Sequence, residues 1–106
     1  MSNELTEFQA WYEAQCDGDW EHSWGVSIGT LDNPGWSLNV SLAETDLENR
    51  PFSEVRERYE HETERVMCRV RERVFEGRGG PLQLQRMLRI FLDWARPSSG
   101  DAPPAA

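Results

Sequence analysis

Two apolar–polar alternations separated by a proline–glycine pair constrain this chain more than any other feature. Trp24, Val26, Ile28 and Thr30 alternate with Gly25, Ser27 and Gly29. After Asp32-Asn33-Pro34-Gly35 a second run sets Trp36, Leu38, Val40 and Leu42 against Ser37, Asn39 and Ser41. A period of two is that of a strand with one buried face. Pro34 presets its own φ, and Gly35 is expected to supply the positive φ of a type II turn. The pattern predicts an antiparallel hairpin over Trp24–Leu42. A lone hairpin is marginal in water, so other elements must cover it.

Helical spacing supplies two of them. Leu5, Phe8, Trp11, Tyr12 and Cys16 fall on one stripe, with Asn3 placed to cap the helix and Gly18 to stop it. Near the other end Leu84, Leu88, Phe91, Leu92 and Ala95 form a broad apolar face, flanked by Leu82, Met87, Ile90 and Trp94, that is expected to lie across the sheet. Pro81 suits the first turn of that helix, and Gly77-Arg78-Gly79-Gly80 is expected to break whatever precedes it.

The segment Phe52–Phe75 has two readings. As a helix it would be capped by Ser53, with Val55, Tyr59, Val66, Val70 and Val74 near helical spacing and many Glu/Arg pairs. As strands, Val55, Glu57 and Tyr59 alternate, a polar turn falls at His61-Glu62, and Val66, Cys68 and Val70 alternate again. Periodicity leans to the helix. Valine content and the hairpin's need for partners lean to strands.

At 106 residues the chain has room for one core. Residues 1–96 are expected to form a single domain, and the Pro/Ala-rich tail 97–106 to be disordered. Nineteen acids against eleven bases, all arginine, leave a formal charge of −8. That balance repels nucleic acid and anionic membrane and favours a cationic protein partner. No apolar run approaches the ~20 residues that span a bilayer. The start, MSNELTEF, lacks the basic and apolar regions of a secretory leader. Cys16 and Cys68 have no CxxC spacing, so they are expected to be half-buried thiols of a reduced, cytoplasmic protein.

The densest functional signal is Cys16–Trp36, CDGDWEHSWGVSIGTLDNPGW, where Asp17, Asp19, Glu21 and Asp32 stand among Trp20, Trp24 and Trp36. Rigid aromatics beside carboxylates suit a basic partner, the rings anchoring and the charges steering. Asp17, Asp19, Glu21 and Asp32 would meet the basic surface, and Trp20 and Trp36 would be the anchors. The bland alternative gives the indoles to the core and lets Glu21 accept hydrogen bonds from backbone amides. A metal-dependent hydrolase built on Cys16–His22 is the competing functional reading, but contiguous ligands on one loop lack the geometry of an established metal motif. No metal or cofactor is expected. A thiol nucleophile at Cys16 would need an oriented base. The glycine run before the last helix lacks the lysine and pattern of a phosphate loop.

At Cys16-Asp17-Gly18-Asp19-Trp20-Glu21-His22, Thr30-Leu31-Asp32-Asn33-Pro34-Gly35-Trp36 and Phe75-Glu76-Gly77-Arg78-Gly79-Gly80-Pro81 the chain resembles a bacterial polymorphic-toxin immunity family, immunity protein 53. The Trp-Glu pair of that family corresponds to Trp20-Glu21 and its Pro-Gly-Trp turn to Pro34-Gly35-Trp36. The closing Phe91-Leu92-Asp93-Trp94 supports the match. The resemblance implies an α+β domain, a sheet-rich middle with strands within Val55–Val70, and a non-enzymatic role in neutralising a cognate toxin. A basic nuclease toxin would fit the acidic surface.

Overall fold

In the computed structural model, which describes residues 3–58, 60–61 and 63–96, Asn3 opens the first helix with its Oδ1 accepting from Thr6 N at 2.8 Å. This helix, α1 (Glu4–Gln15), buries Phe8 and half-buries Trp11. Its stripe is narrower than the spacing predicts, since Leu5 and Tyr12 lie in the open. A short helix, α2 (Trp20–Ser23), follows, and Gly25 at φ 106° turns the chain into the sheet.

The sheet has five antiparallel strands: β1 (Val26–Leu31), β2 (Gly35–Ser41), β3 (Val55–Glu57), β4 (Val66–Arg71) and β5 (Val74–Gly79), in the order β1-β2-β5-β4-β3. The expected hairpin is present, with Val26 opposite Val40, Ile28 opposite Leu38 and Leu31 opposite Gly35. The last helix, α3 (Leu84–Ala95), lies over β2, β5 and β4, and α1 packs on α3. Leu38, Val40, Val66, Cys68 and Phe75 meet Met87, Leu88 and Phe91 in the core. The other face of the sheet is polar. There Arg69 and Glu76, directly paired across β4 and β5, form an ion pair at 2.7 Å.

The middle of the chain is therefore strands, and the helix reading falls. Alternation decides it: Val66 and Cys68 point into the core while Met67 and Arg69 do not. β5 exceeds the expectation, because Gly77-Arg78-Gly79 continues a strand where a break was expected. The physical reason is closeness to α3: a Cβ on Gly77 would stand 3.0 Å from Met87 Sδ. Strands β4 and β5 join through Glu72 and Arg73, at φ 54° and 65°, a two-residue turn of the left-handed type. Helix α3 begins at Leu84, so Pro81 precedes its first turn rather than occupying it.

Gly35 also differs from expectation. Among the described residues only Gly18 and Gly25 are glycines at positive φ, and Gly35 is a strand residue paired with Leu31. It is glycine for want of room: a Cβ there would stand 2.2 Å from Gly79 O on β5. Cys68 is fully buried rather than half-buried, and burial pushes its thiol up to about 12. Tyr59 and the tail from Pro97 onward lie outside the described residues.

Candidate functional site

The loop between α1 and α2 is built by its own acids. Asp17 Oδ1 accepts from Asp19 N and Trp20 N, each at 3.0 Å. Glu21 reaches back, Oε1 accepting from Asp17 N at 3.0 Å and Oε2 from Gly18 N at 2.9 Å. The result is a reciprocal cap, related in logic to the box at helix starts. The Trp20 and Asp19 amides hold the Asp17 carboxyl below its ordinary value of 3.8. Both side chains thus carry charge and structure together.

That loop delivers Trp20 into the protein. The indole is 1% exposed and packs edge-on against Trp11 and Tyr12, at ring-centroid distances of 6.0 and 5.8 Å. Its Nε1–H meets no acceptor among the described residues. Trp20 therefore offers no surface to a partner in this conformation, contrary to its expected place as an anchor. Trp36 is half-buried, and its Nε1 donates to Pro81 O at 2.9 Å, tying the hairpin to the turn before α3. Asp19 and Asp32 are exposed.

The structure does not unite all the expected site residues. Asp17, Asp19 and Glu21 stand at the start of β1, and Asp32 and Trp36 at its far end. The six residues between span about 20 Å at ~3.4 Å per residue. At the far end a cation comes near, since Arg65 Nη2 lies 3.5 Å from Asn33 O. Cys16 Sγ donates to Tyr12 O at 3.3 Å. Among the described residues no three His, Cys, Asp or Glu side chains converge as metal ligands, Cys16 and His22 included.

The more open feature is a groove of about 400 Å³ between α1 and β1. Leu5 (57% exposed), Tyr12 (39%), Trp24 (50%) and Ile28 (42%) line it, with Glu21 as its single charged residue. Alternation correctly puts Val26 and Ile28 on the inner face of β1, but α3 lies chiefly over β2, β5 and β4, and Ile28 stays largely in the open. Nothing local in the sequence signals this. Which strand a helix fails to cover is a tertiary outcome. Trp24, expected to lead the first strand inward, instead ends α2, its N donating to Trp20 O at 2.8 Å.

Charge is divided unevenly along the chain. Residues 1–49 hold ten acids and no arginine, whereas residues 50–106 hold nine acids and all eleven arginines. Arg89 of α3 neutralises Glu4 and Glu7, at 3.1 and 2.8 Å, and Arg73 neutralises Glu48 at 2.9 Å. Glu13, Asp17, Asp19, Glu21 and Asp32 make no ion pair among the described residues. No described helix is long and apolar enough to cross a membrane.

A family model described as immunity protein 53 matches residues 5–96. No curated protein and no solved structure matches the chain.

Proposed function

Because the chain belongs to the immunity protein 53 family, we propose that it neutralises a cognate toxin by binding it through the acidic, aromatic end of the sheet around α1, α2 and β1. The observation that supports this best is the juxtaposition of an open apolar groove with uncompensated carboxylates. Exposed apolar area of this kind is uncommon on a surface with no partner. Trp24 and Tyr12 supply aromatic anchors in place of the buried Trp20, and Asp19, Asp17 and Glu21 supply the field that draws in a basic surface. Asp32 and Trp36 would extend the contact along the hairpin. Neutralisation needs no chemistry from this chain: covering the toxin's active site or its substrate's approach is sufficient. The partner is a basic protein such as a nuclease, not nucleic acid or membrane, and the meeting takes place in the cytoplasm.

Co-expression with the toxin domain encoded beside this chain should restore growth. In the purified pair, Asp19→Arg with Trp24→Ala should raise Kd by about 100-fold, each hot-spot change being worth ~1–2 kcal/mol. An unchanged Kd at low salt would refute this surface. Failure of the toxin domain to bind at all would refute the toxin-binding reading.

A further inference from the structure

We propose that the free edge of β1 receives an extended, cationic segment of the toxin as a sixth strand, with that segment's alternate side chains seated in the groove between α1 and β1. The inference rests on the toxin-binding reading above and specifies its mode.

β1 ends the sheet, and Ser41 N donates to Gly25 O at 3.0 Å. With Val26 opposite Val40, antiparallel alternation assigns residues 25, 27, 29 and 31 to bonding with β2. The N–H and C=O groups of Val26, Ile28 and Thr30 therefore point out of the sheet.

The edge is also unguarded. Exposed edges are ordinarily blunted by short length, charge, proline or a bulge. β3, the opposite edge, follows that rule: it has three residues, Val55-Arg56-Glu57, and Glu57 is held by Arg86. β1 is twice as long and reads Val-Ser-Ile-Gly-Thr-Leu, without charge or proline. An aggregation hazard of this sort persists where a partner covers it. Strand addition draws affinity from main-chain bonds and specificity from pockets for alternate side chains, and the groove beside Val26 and Ile28 is such a pocket.

Charge chooses the occupant. A second copy of this chain would set one acid-bearing edge against another, with Arg65 beside Asn33 as the cation at the far end, whereas a cationic strand meets Glu21, which lines the groove, and Asp17 and Asp19 on the loop that Glu21 caps. Exposed Trp24 and Tyr12 faces add cation–π sites for its arginine or lysine side chains. The fitting segment alternates apolar and basic residues.

The test is amide hydrogen exchange on the wild-type protein, free and bound to an inactivated form of the neighbouring toxin domain. The amides of Val26, Ile28 and Thr30 should exchange freely alone and slow by at least about tenfold in the complex, one net backbone hydrogen bond being worth ~1 kcal/mol or more. Ile28→Pro removes an outward donor without touching the β1–β2 ladder and should weaken binding about tenfold, while Ser27→Ala should not. A complex in which these amides exchange as in the free protein overturns strand addition and leaves the toxin-binding reading standing. Protection of the same amides in a homodimer of the free protein also overturns it. Absence of any complex refutes the toxin-binding reading itself.

Discussion

Replacing Glu21 by alanine separates the two things its carboxylate does. The substitution strips the acceptors from Asp17 N and Gly18 N, now bonded at 3.0 and 2.9 Å. Both amides are near solvent, so water takes them over and the full burial penalty does not apply. The loss is that of a good cap, about 1–2 kcal/mol. For a domain of this size it lowers Tm by roughly 5–15 °C. Asp19→Ala removes a neighbouring exposed carboxylate that makes no side-chain cap bond to α2, and should change stability by less than ~0.5 kcal/mol. Glu21→Gln keeps one acceptor but turns a donor toward an N–H, so it recovers only part. Urea unfolding followed by tryptophan fluorescence reads all three, because the loop fixes the environment of Trp20. Short-range bonds are screened little by salt, so the Glu21→Ala deficit should persist in high salt while any Asp19 effect on toxin association fades. If Glu21→Ala and Asp19→Ala are equally stable within ~0.3 kcal/mol, the cap is not what holds this loop.

Gly35→Ala should be among the most damaging small changes: its Cβ would stand 2.2 Å from Gly79 O, so strands β2 and β5 at the middle of the sheet must part by more than ~1 Å. A loss of at least about 3 kcal/mol follows, a large share of an ordinary domain's stability; a urea midpoint close to wild type would refute the close approach. Stability should also depend on pH at both ends. Glu4, held below its ordinary 4.5 by its own backbone amide, Gln85 and Arg89, and Glu57, held below 4.5 by Arg86, favour the fold when ionised. That contribution is present above 4.5 and is lost as pH falls through their lowered values, so Tm should decline in that range. The raised Cys68 thiol acts oppositely, its contribution intact below 9.0 and lost as pH rises toward about 12. Scans of Tm against pH check both limbs, and a flat acid limb down to pH ~3 would contradict the carboxylate assignments.

The hairpin and α3 were legible because their patterns are local. Alternation fixed the faces of β1 and β2, and the stripe of α3 is buried at Leu88, Phe91 and Leu92, with the flanking Met87 and Ile90 buried beside it while Leu82 lies in the open. β5 was not legible, because its glycines mark a place where another element presses rather than a place where the chain turns. The same confusion misplaced Gly35. In both cases the sequence signals that a side chain is forbidden, and only packing tells whether conformation or crowding forbids it. Arg50 shows the complementary failure: its Nη1 donates to Trp94 O at 2.7 Å and Arg96 O at 2.8 Å, satisfying the end of α3 from forty residues away with no local pattern to announce it.

The residues that carry the sequence resemblance, Trp20-Glu21 and Pro34-Gly35-Trp36, largely serve the scaffold. Trp20 fills a space between α2 and α1, Glu21 closes the loop that sends it there, Gly35 lets β2 lie against β5, and Trp36 binds Pro81 O. None of them needs a partner to account for its identity. Leu5, Trp24 and Ile28 are different: much of their apolar surface stays in water, and no ring contact or side-chain hydrogen bond within the described fold calls for their size. On the proposed reading, a frame held by one set of residues, with an apolar and acidic edge carried by another, would let the edge change to match a different toxin while the frame stays intact. On that logic Trp24→Ala should leave urea stability within ~0.5 kcal/mol of wild type yet weaken toxin binding, whereas Glu21→Ala should cost stability as well. If Trp24→Ala instead unfolds the protein, the division between frame and edge is wrong.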